Sequence, residues 1–158
     1  MVTLDATLVS TIPAMQNVKN LKVAEHSRRL ALFVYKLSES FPTQERFGLT
    51  AQMRRAAVSI GSNIAEGCGR RGNRELLNHL YIAFASAKEL SFQLQLADDL
   101  GFGAPAARAE VQGDLDRLER MLNRLTAYLR AQPARRREKG PSTREGPRAI
   151  QRTRQPTN

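Results

Sequence analysis

The chain contains no tryptophan, one cysteine and few aromatic residues, 6% in all. A single thiol, Cys68, excludes an intrachain disulfide and fits a reducing compartment. No stretch reaches 18 consecutive apolar residues, which excludes a membrane-spanning helix. The opening MVTLDATLVSTIPAMQ has no basic n-region and no sustained apolar core, and Asp5 interrupts it. It does not read as a secretory signal. These absences imply a cytoplasmic protein with no membrane partner. No alternating period-two run of useful length is present, which argues against a sheet.

Chemistry-bearing patterns are missing as well. The two histidines, His26 and His79, stand without H-x-x-x-H, C-x-x-C or Glu-x-x-His spacing, whereas a metal site needs three or four convergent ligands. They read as packing or solvated side chains. Ser59, Ser62, Ser86 and Ser91 lack a His/Asp constellation. Gly67–Gly72 (GCGRRG) fits the letters of the dinucleotide-binding G-x-G-x-x-G, but the pattern before it is helical rather than extended. The glycines read as an interhelical turn. No catalytic residue, cofactor or metal is expected, and the chain reads as non-enzymatic.

Acidic residues are scarce. Fifteen Asp and Glu stand against 25 Lys and Arg in 158 residues, a formal charge of +10 with a pI of about 10.8. Such a balance favours an anionic partner, RNA or DNA above all. The charge is unevenly spread. Residues 133–158 hold eight basic and two acidic residues, +6 of the +10, and leave +4 to the first 132. That tail has Pro133, Pro141, Pro147 and Pro156 but only Ile150 as a large apolar residue. It cannot bury enough surface to offset its ordering entropy, and it is expected to be disordered.

Four helical patterns precede it. Over Val18–Phe41, residues Val23, Leu30, Phe33, Val34, Leu37 and Phe41 share a face, and Pro42 ends the run. Over Phe47–Glu66 the stripe is Leu49, Met53, Ala56, Ile60 and Ile64. Gly61, followed by Ser62 and Asn63, is expected to bend that helix. Over Asn73–Leu100, Leu76, Leu80, Ala83, Ala87, Leu90, Leu94 and Ala97 alternate steps of four and three. Leu77, Tyr81 and Phe84 form a second apolar flank that calls for another neighbour or subunit. Over Ala104–Ala131, Val111, Leu115, Leu118, Leu122, Leu125 and Leu129 repeat the pattern. Short links between long amphipathic helices predict an all-α, antiparallel up-down-up-down four-helix bundle over residues 18–132. A loose arm is expected over 1–17 and the disordered basic tail over 133–158.

Most charges read as solvated helix faces. Asp116 and Arg120 are spaced for an i,i+4 pair. Asp98 and Asp99 stand at a helix C-terminus, where negative charge is disfavoured. Arg117, Arg120 and Arg124 form a stripe with acids interspersed. Arg54, Arg55, Arg70, Arg71 and Arg74 have fewer acids nearby, and arginine grips phosphate in a bidentate fashion. These five are the expected nucleic-acid contacts. Aromatic residues do not interleave with them along the chain, so base stacking is not indicated.

The block Phe41-Pro42, Glu45 to Ile60 (ERFGLTAQMRRAAVSI) and Ser62 to Gly67 (SNIAEG) resembles the four-helix protein family encoded in 23S ribosomal RNA intervening sequences. Leu80-Tyr81-Ile82-Ala83, Ser86 to Leu90, Gln93-Leu94 and Leu100-Gly101 extend the likeness, which runs from about Val18 to Leu129. Gly61 departs from it, since proline is common there in the family. The resemblance implies a four-helix bundle assembled as a homopentameric ring. It also implies kinship with the accessory variability protein of diversity-generating retroelements, a basic pentamer that binds nucleic acid and a reverse transcriptase. The leading expectation is a non-enzymatic oligomer that binds RNA or DNA through backbone phosphates. The alternative is a protein-interaction scaffold, such as a reverse-transcriptase accessory subunit, without nucleic-acid specificity of its own.

Overall fold

The computed structural model describes residues 22–70 and 72–132. Within them lie α1 (Lys22–Ser38), α2 (Leu49–Gly69), α3 (Asn73–Asp99) and α4 (Pro105–Ala131), with a short 3-10 turn over Thr43–Arg46. No strand occurs among the described residues. The expected arm 1–17, the tail 133–158 and the start of the first helix before Lys22 lie outside the described residues, as does Arg71.

Each helix packs on its sequence neighbour, and α4 closes the ring against α1. Contacts that run in opposite directions along each pair make every neighbour antiparallel. On α2 and α3, Ser59 meets Ser86 and Arg55 meets Glu89. On α3 and α4, Lys88 meets Glu119 and Asp98 meets Arg108. The all-α up-down-up-down bundle is thus the observed fold.

The heptad-like stripes supply its core. All seven stripe residues of α3 are buried, as are Leu49, Met53, Ala56, Ile60 and Ile64 of α2. Val23, Leu30, Val34 and Leu37 complete it from α1, and Val111, Leu115, Leu118, Leu122 and Leu129 from α4. Phe33 and Leu125 pack against this core half-buried. Burying a leucine or isoleucine side chain stabilises the fold by about 1.5–3 kcal/mol, so these stripes are the main source of cohesion.

The ends and the second helix differ from expectation in instructive ways. The link after Pro42 is a 3-10 turn whose Glu45 carboxylate accepts the Leu49 N–H at 2.9 Å. That bond satisfies a free donor of the first turn of α2 and sets its start at Leu49 rather than Phe47. Gly61 does not interrupt α2, which runs unbroken to Gly69 instead of ending at Glu66. Asn63 Nδ2 donates to the Ser59 carbonyl at 2.9 Å, one turn back, without opening the helix. The absent side chain at Gly61 instead admits α1, because a Cβ there would lie 3.2 Å from Ser27 Oγ. The turn between α2 and α3 shrinks to Arg70–Gly72. Gly72, at φ 121°, precedes the first helical residue of α3 in a conformation that glycine favours.

Asp98 also finds its reason. Arg108 of α4 bonds its carboxylate through Nε at 2.7 Å. The same guanidinium donates from Nη1 to the Phe102 carbonyl at 2.9 Å and to that of Gly103. One nearly buried arginine thus ties the end of α3 to the start of α4 and offsets the unfavourable charge at the helix terminus.

Candidate nucleic-acid interface

Arginine chemistry is the natural place to look for a site in a +10 chain, and the structure sorts the candidates by what already engages them. Arg54 is only half-exposed. Its Nε donates to Ser38 Oγ at 2.8 Å, and its guanidinium lies 4.7 Å from the centre of the Tyr35 ring. It therefore pins α2 to α1. Arg55 is exposed but lies 3.6 Å from Glu89 of α3 and donates to Gln52 Oε1. Arg70 pairs with Glu66 one turn earlier. Arg74 is exposed on the first turn of α3, with no ion pair among the described residues. Arg71 lies outside the described residues. Arg54 and Arg55 stand near the start of α2, while Arg70 and Arg74 flank the turn beyond its end. At about 1.5 Å rise per residue the two groups are separated by roughly 20 Å along the helix. The structure does not bring the five together.

Glu66 sits at the centre of the second group. The hydrogen bond from Arg70, joined by the nearby His79 ring, holds its carboxyl below the ordinary value of 4.5. Arg70, Glu75, Asn78 and His79 line a shallow cleft of about 220 Å³ beside it.

The stripe on α4 changes character once neighbours are known. The expected Asp116–Arg120 pair is not formed among the described residues, since Asp116 accepts from Gln112 Nε2 at 2.7 Å instead. Glu119 is drawn to Lys88 of α3 at 2.6 Å. Asp114 is buried and accepts two bonds from Arg29 of α1, each 2.9 Å long. Asp114 and Glu119 are thereby paired with cations of other helices, Asp116 stays exposed beside Arg117, and Arg117, Arg120 and Arg124 stand exposed on one face at spacings of three and four.

The Asp114 cluster was hidden in the sequence. His26 Nε2 lies 3.2 Å from the Asp114 carbonyl oxygen, and Arg29 Nη2 lies 3.1 Å from His26 Nδ1. A carbonyl can only accept and a guanidinium can only donate, so Nε2 bears the proton and Nδ1 accepts. Asp114 raises the already high pKa of Arg29, chiefly through their hydrogen bonds. His26 is thus a packing histidine fixed on both sides. His79 is half-buried, 3.5 Å from Asn63 Oδ1 and 3.8 Å from Glu66. Among the described residues, no three His, Cys, Asp or Glu side chains come together as metal ligands would. None of the described helices is long and apolar enough to cross a membrane. Cys68 is buried, and burial pushes its thiol pKa up.

The apolar exterior is also redistributed. Leu77 and Phe84 pack against the core, leaving Tyr81 as the exposed member of the expected second flank. The outward stripe of α3 is instead Ile82, Ala85, Phe92 and Leu96, and Phe92 is 67% exposed. With Glu89 between them, these positions step by three and four, the register of a helix–helix seam.

The family model described as 23S rRNA-intervening sequence protein matches residues 19–124. The chain belongs to this family. The match spans α1 through most of α4, and stops short of the last turns of α4 and the basic tail. A solved structure from Bacteroides thetaiotaomicron VPI-5482, described as a protein of unknown function from the S23 ribosomal protein family, is similar as well. It is 23% identical, with 66% of this chain and 97% of that chain covered, at a TM-score of 0.61. That likeness shows a shared fold. No curated protein matches the chain.

Proposed function

We propose that this member of the 23S rRNA-intervening sequence protein family is a non-catalytic, self-associating bundle that binds RNA or DNA through backbone phosphates. The observation behind the reading is the exposed arginine face of α4. Arg117, Arg120 and Arg124 stand exposed while two of the neighbouring acids, Asp114 and Glu119, are paired with cations of α1 and α3. Arg71, Arg74 and the +6 tail add to the positive charge of the chain. Arg54 is a weaker candidate, because its guanidinium is already shared with Ser38 and Tyr35, and Arg55 and Arg70 each have a carboxylate beside them.

Self-association is supported by the outward stripe Ile82, Ala85, Phe92 and Leu96. An exposed apolar stripe of this size, interrupted only by Glu89, marks an interaction surface. The homopentamer implied by the family resemblance is the assembly proposed, and a ring sums the charge of its copies. The same seam is what a protein-interaction scaffold would use, so the two readings separate on nucleic acid alone. Light scattering after chromatography is expected to give a mass about five times that of the 17.7 kDa chain. A titration of binding to a labelled RNA duplex against salt tests the rest. Affinity is expected to fall steeply and log-linearly as salt rises, with a slope reporting the phosphates neutralised. The triple exchange of Arg117, Arg120 and Arg124 to glutamine is expected to shallow that slope. Absent binding at low salt, or a flat response, overturns the reading and leaves the scaffold.

A further inference from the structure

Aromatic and basic residues do not interleave along the chain, but they do so in space. Tyr81 of α3 and Arg130 of α4 lie 49 positions apart and meet across the seam between the two helices. Arg130 Nε donates to the Tyr81 hydroxyl at 2.6 Å, and its guanidinium carbon lies 5.3 Å from the ring centre. Together with Phe84, Asn123, Thr126 and Ala127 they line a groove of about 350 Å³. No carboxylate is among these lining residues. Lys88, paired with Glu119, places its ammonium 5.2 Å from the centre of the Phe84 ring.

The geometry points to a nucleobase-stacking site in this groove, with Tyr81 and the Arg130 guanidinium as the platform and a flanking phosphate of single-stranded nucleic acid held by Arg130. Three features favour that occupant. A tyrosine ring and a guanidinium plane are the two surfaces on which unpaired bases stack. The Asn123 amide, at the rim, can both donate to and accept from a base edge. The groove also opens at the root of the basic tail. Arg135 follows Arg130 by five residues, so its backbone is within roughly 18 Å even when fully extended. A strand whose phosphates are drawn to the tail is delivered to the groove. Thr126, Ala127 and Arg130 lie beyond residues 19–124, so part of this site falls outside the stretch shared with the family.

This inference rests on the nucleic-acid reading above, and one experiment separates their failures. Binding of the full chain to a thymidylate dodecamer is compared with binding to an abasic deoxyribose-phosphate dodecamer, which has the same charge and no bases. Stacking of one base is worth about 1–3 kcal/mol, so the wild type is expected to prefer the thymidylate by at least roughly fivefold. Tyr81→Leu is expected to bring the ratio to about one and Tyr81→Phe to retain it, with both variants matching the wild type in helical content and melting. Equal affinity for the two probes in the wild type overturns the stacking site and leaves phosphate binding standing. No binding of either probe at low salt overturns both. A change in assembly mass with Tyr81→Leu assigns the groove to a subunit contact and also overturns the site.

Discussion

The α1–α4 and α2–α3 seams belong to one bundle and are closed by different chemistry. Between α1 and α4 the contact is charged and long-armed. Arg29 reaches the buried Asp114 carboxylate with two bonds, and His26 braces both partners. Between α2 and α3 the contact is small and close. Ser59 Oγ meets Ser86 Oγ at 2.9 Å, and at Gly67 an added Cβ would stand 2.8 Å from the Cβ of His79. The first seam is sensitive to the loss of a partner and the second to the gain of a methyl group. The difference also bears on the surface. Drawing Asp114 and Arg29 together removes an acid from the α4 arginine face, whereas the α2–α3 seam leaves the outer stripe of α3 bare.

Breaking the charged seam is expected to give the largest effect, and the two halves of the pair are unequal. The Arg29 side chain is 46% exposed, while that of Asp114 is 11% exposed. Arg29→Met strands a carboxylate that is largely shielded from water. Asp114→Leu releases an arginine that can swing outward and rehydrate. Removing one partner of a buried pair is costly because of the charge left behind. Arg29→Met is therefore expected to lower the urea midpoint most, and Asp114→Leu to cost about 2 kcal/mol. The reverse order in urea unfolding would show that the pair is governed by packing of α4 and not by stranded charge.

The close seam gives a smaller effect and a sharper contrast, because two glycines of one helix are expected to respond in opposite directions. Replacing a helical glycine by alanine gains up to about 1 kcal/mol of propensity. At Gly67 that gain is opposed by His79 Cβ at 2.8 Å and Leu76 Cδ1 at 3.0 Å, so the helices must part. Overpacking costs about 1–3 kcal/mol, and Gly67→Ala is expected to lower stability by about 1 kcal/mol net. At Gly61 the obstacle is Ser27 Oγ at 3.2 Å, the tip of a side chain that can give way. Gly61→Ala is expected to be neutral or to gain about 0.5 kcal/mol. Melting curves of the two single variants decide it, and equal shifts of one sign would erase the distinction.

These seams show where sequence reading stops. A period of three and four tells which residues of a helix face inward, and the stripes of α2 and α3 are buried residue for residue. Periodicity is silent about which helix stands opposite, so the pairing of Arg29 with Asp114, 85 positions apart, had no local signal. The same limit governs the arginines. Counting acids along the chain favoured Arg54 and Arg55 over the α4 stripe, whereas across helices Glu89 comes to Arg55 while Asp114 and Glu119 of α4 are drawn to α1 and α3. Propensity at Gly61 is a local quantity, while its close spacing to Ser27 is set by the partner helix and leaves no sign in the local sequence.

The smallest expected effect lies at the end of the close seam and carries a definite sign with pH. Glu66 is half-exposed and accepts from Arg70, with His79 Nε2 3.8 Å away. Its carboxyl titrates below 4.5 in the folded chain, chiefly because of the Arg70 hydrogen bond. A group whose folded value is depressed adds stability that is whole above its unfolded value and disappears as pH falls through the folded one. The ionised carboxylate therefore supports the α2–α3 turn at neutral pH, and the support is lost as pH falls through the lowered folded value. Exposed pairs of this kind are weak and screened by salt. Glu66→Gln is expected to lower the urea midpoint slightly at pH 7 and to converge with the wild type at the acid end. A difference that persists unchanged into acid would mean that Glu66 acts through its side-chain packing on His79, and that the turn beside Arg70 and Arg74 owes nothing to this charge.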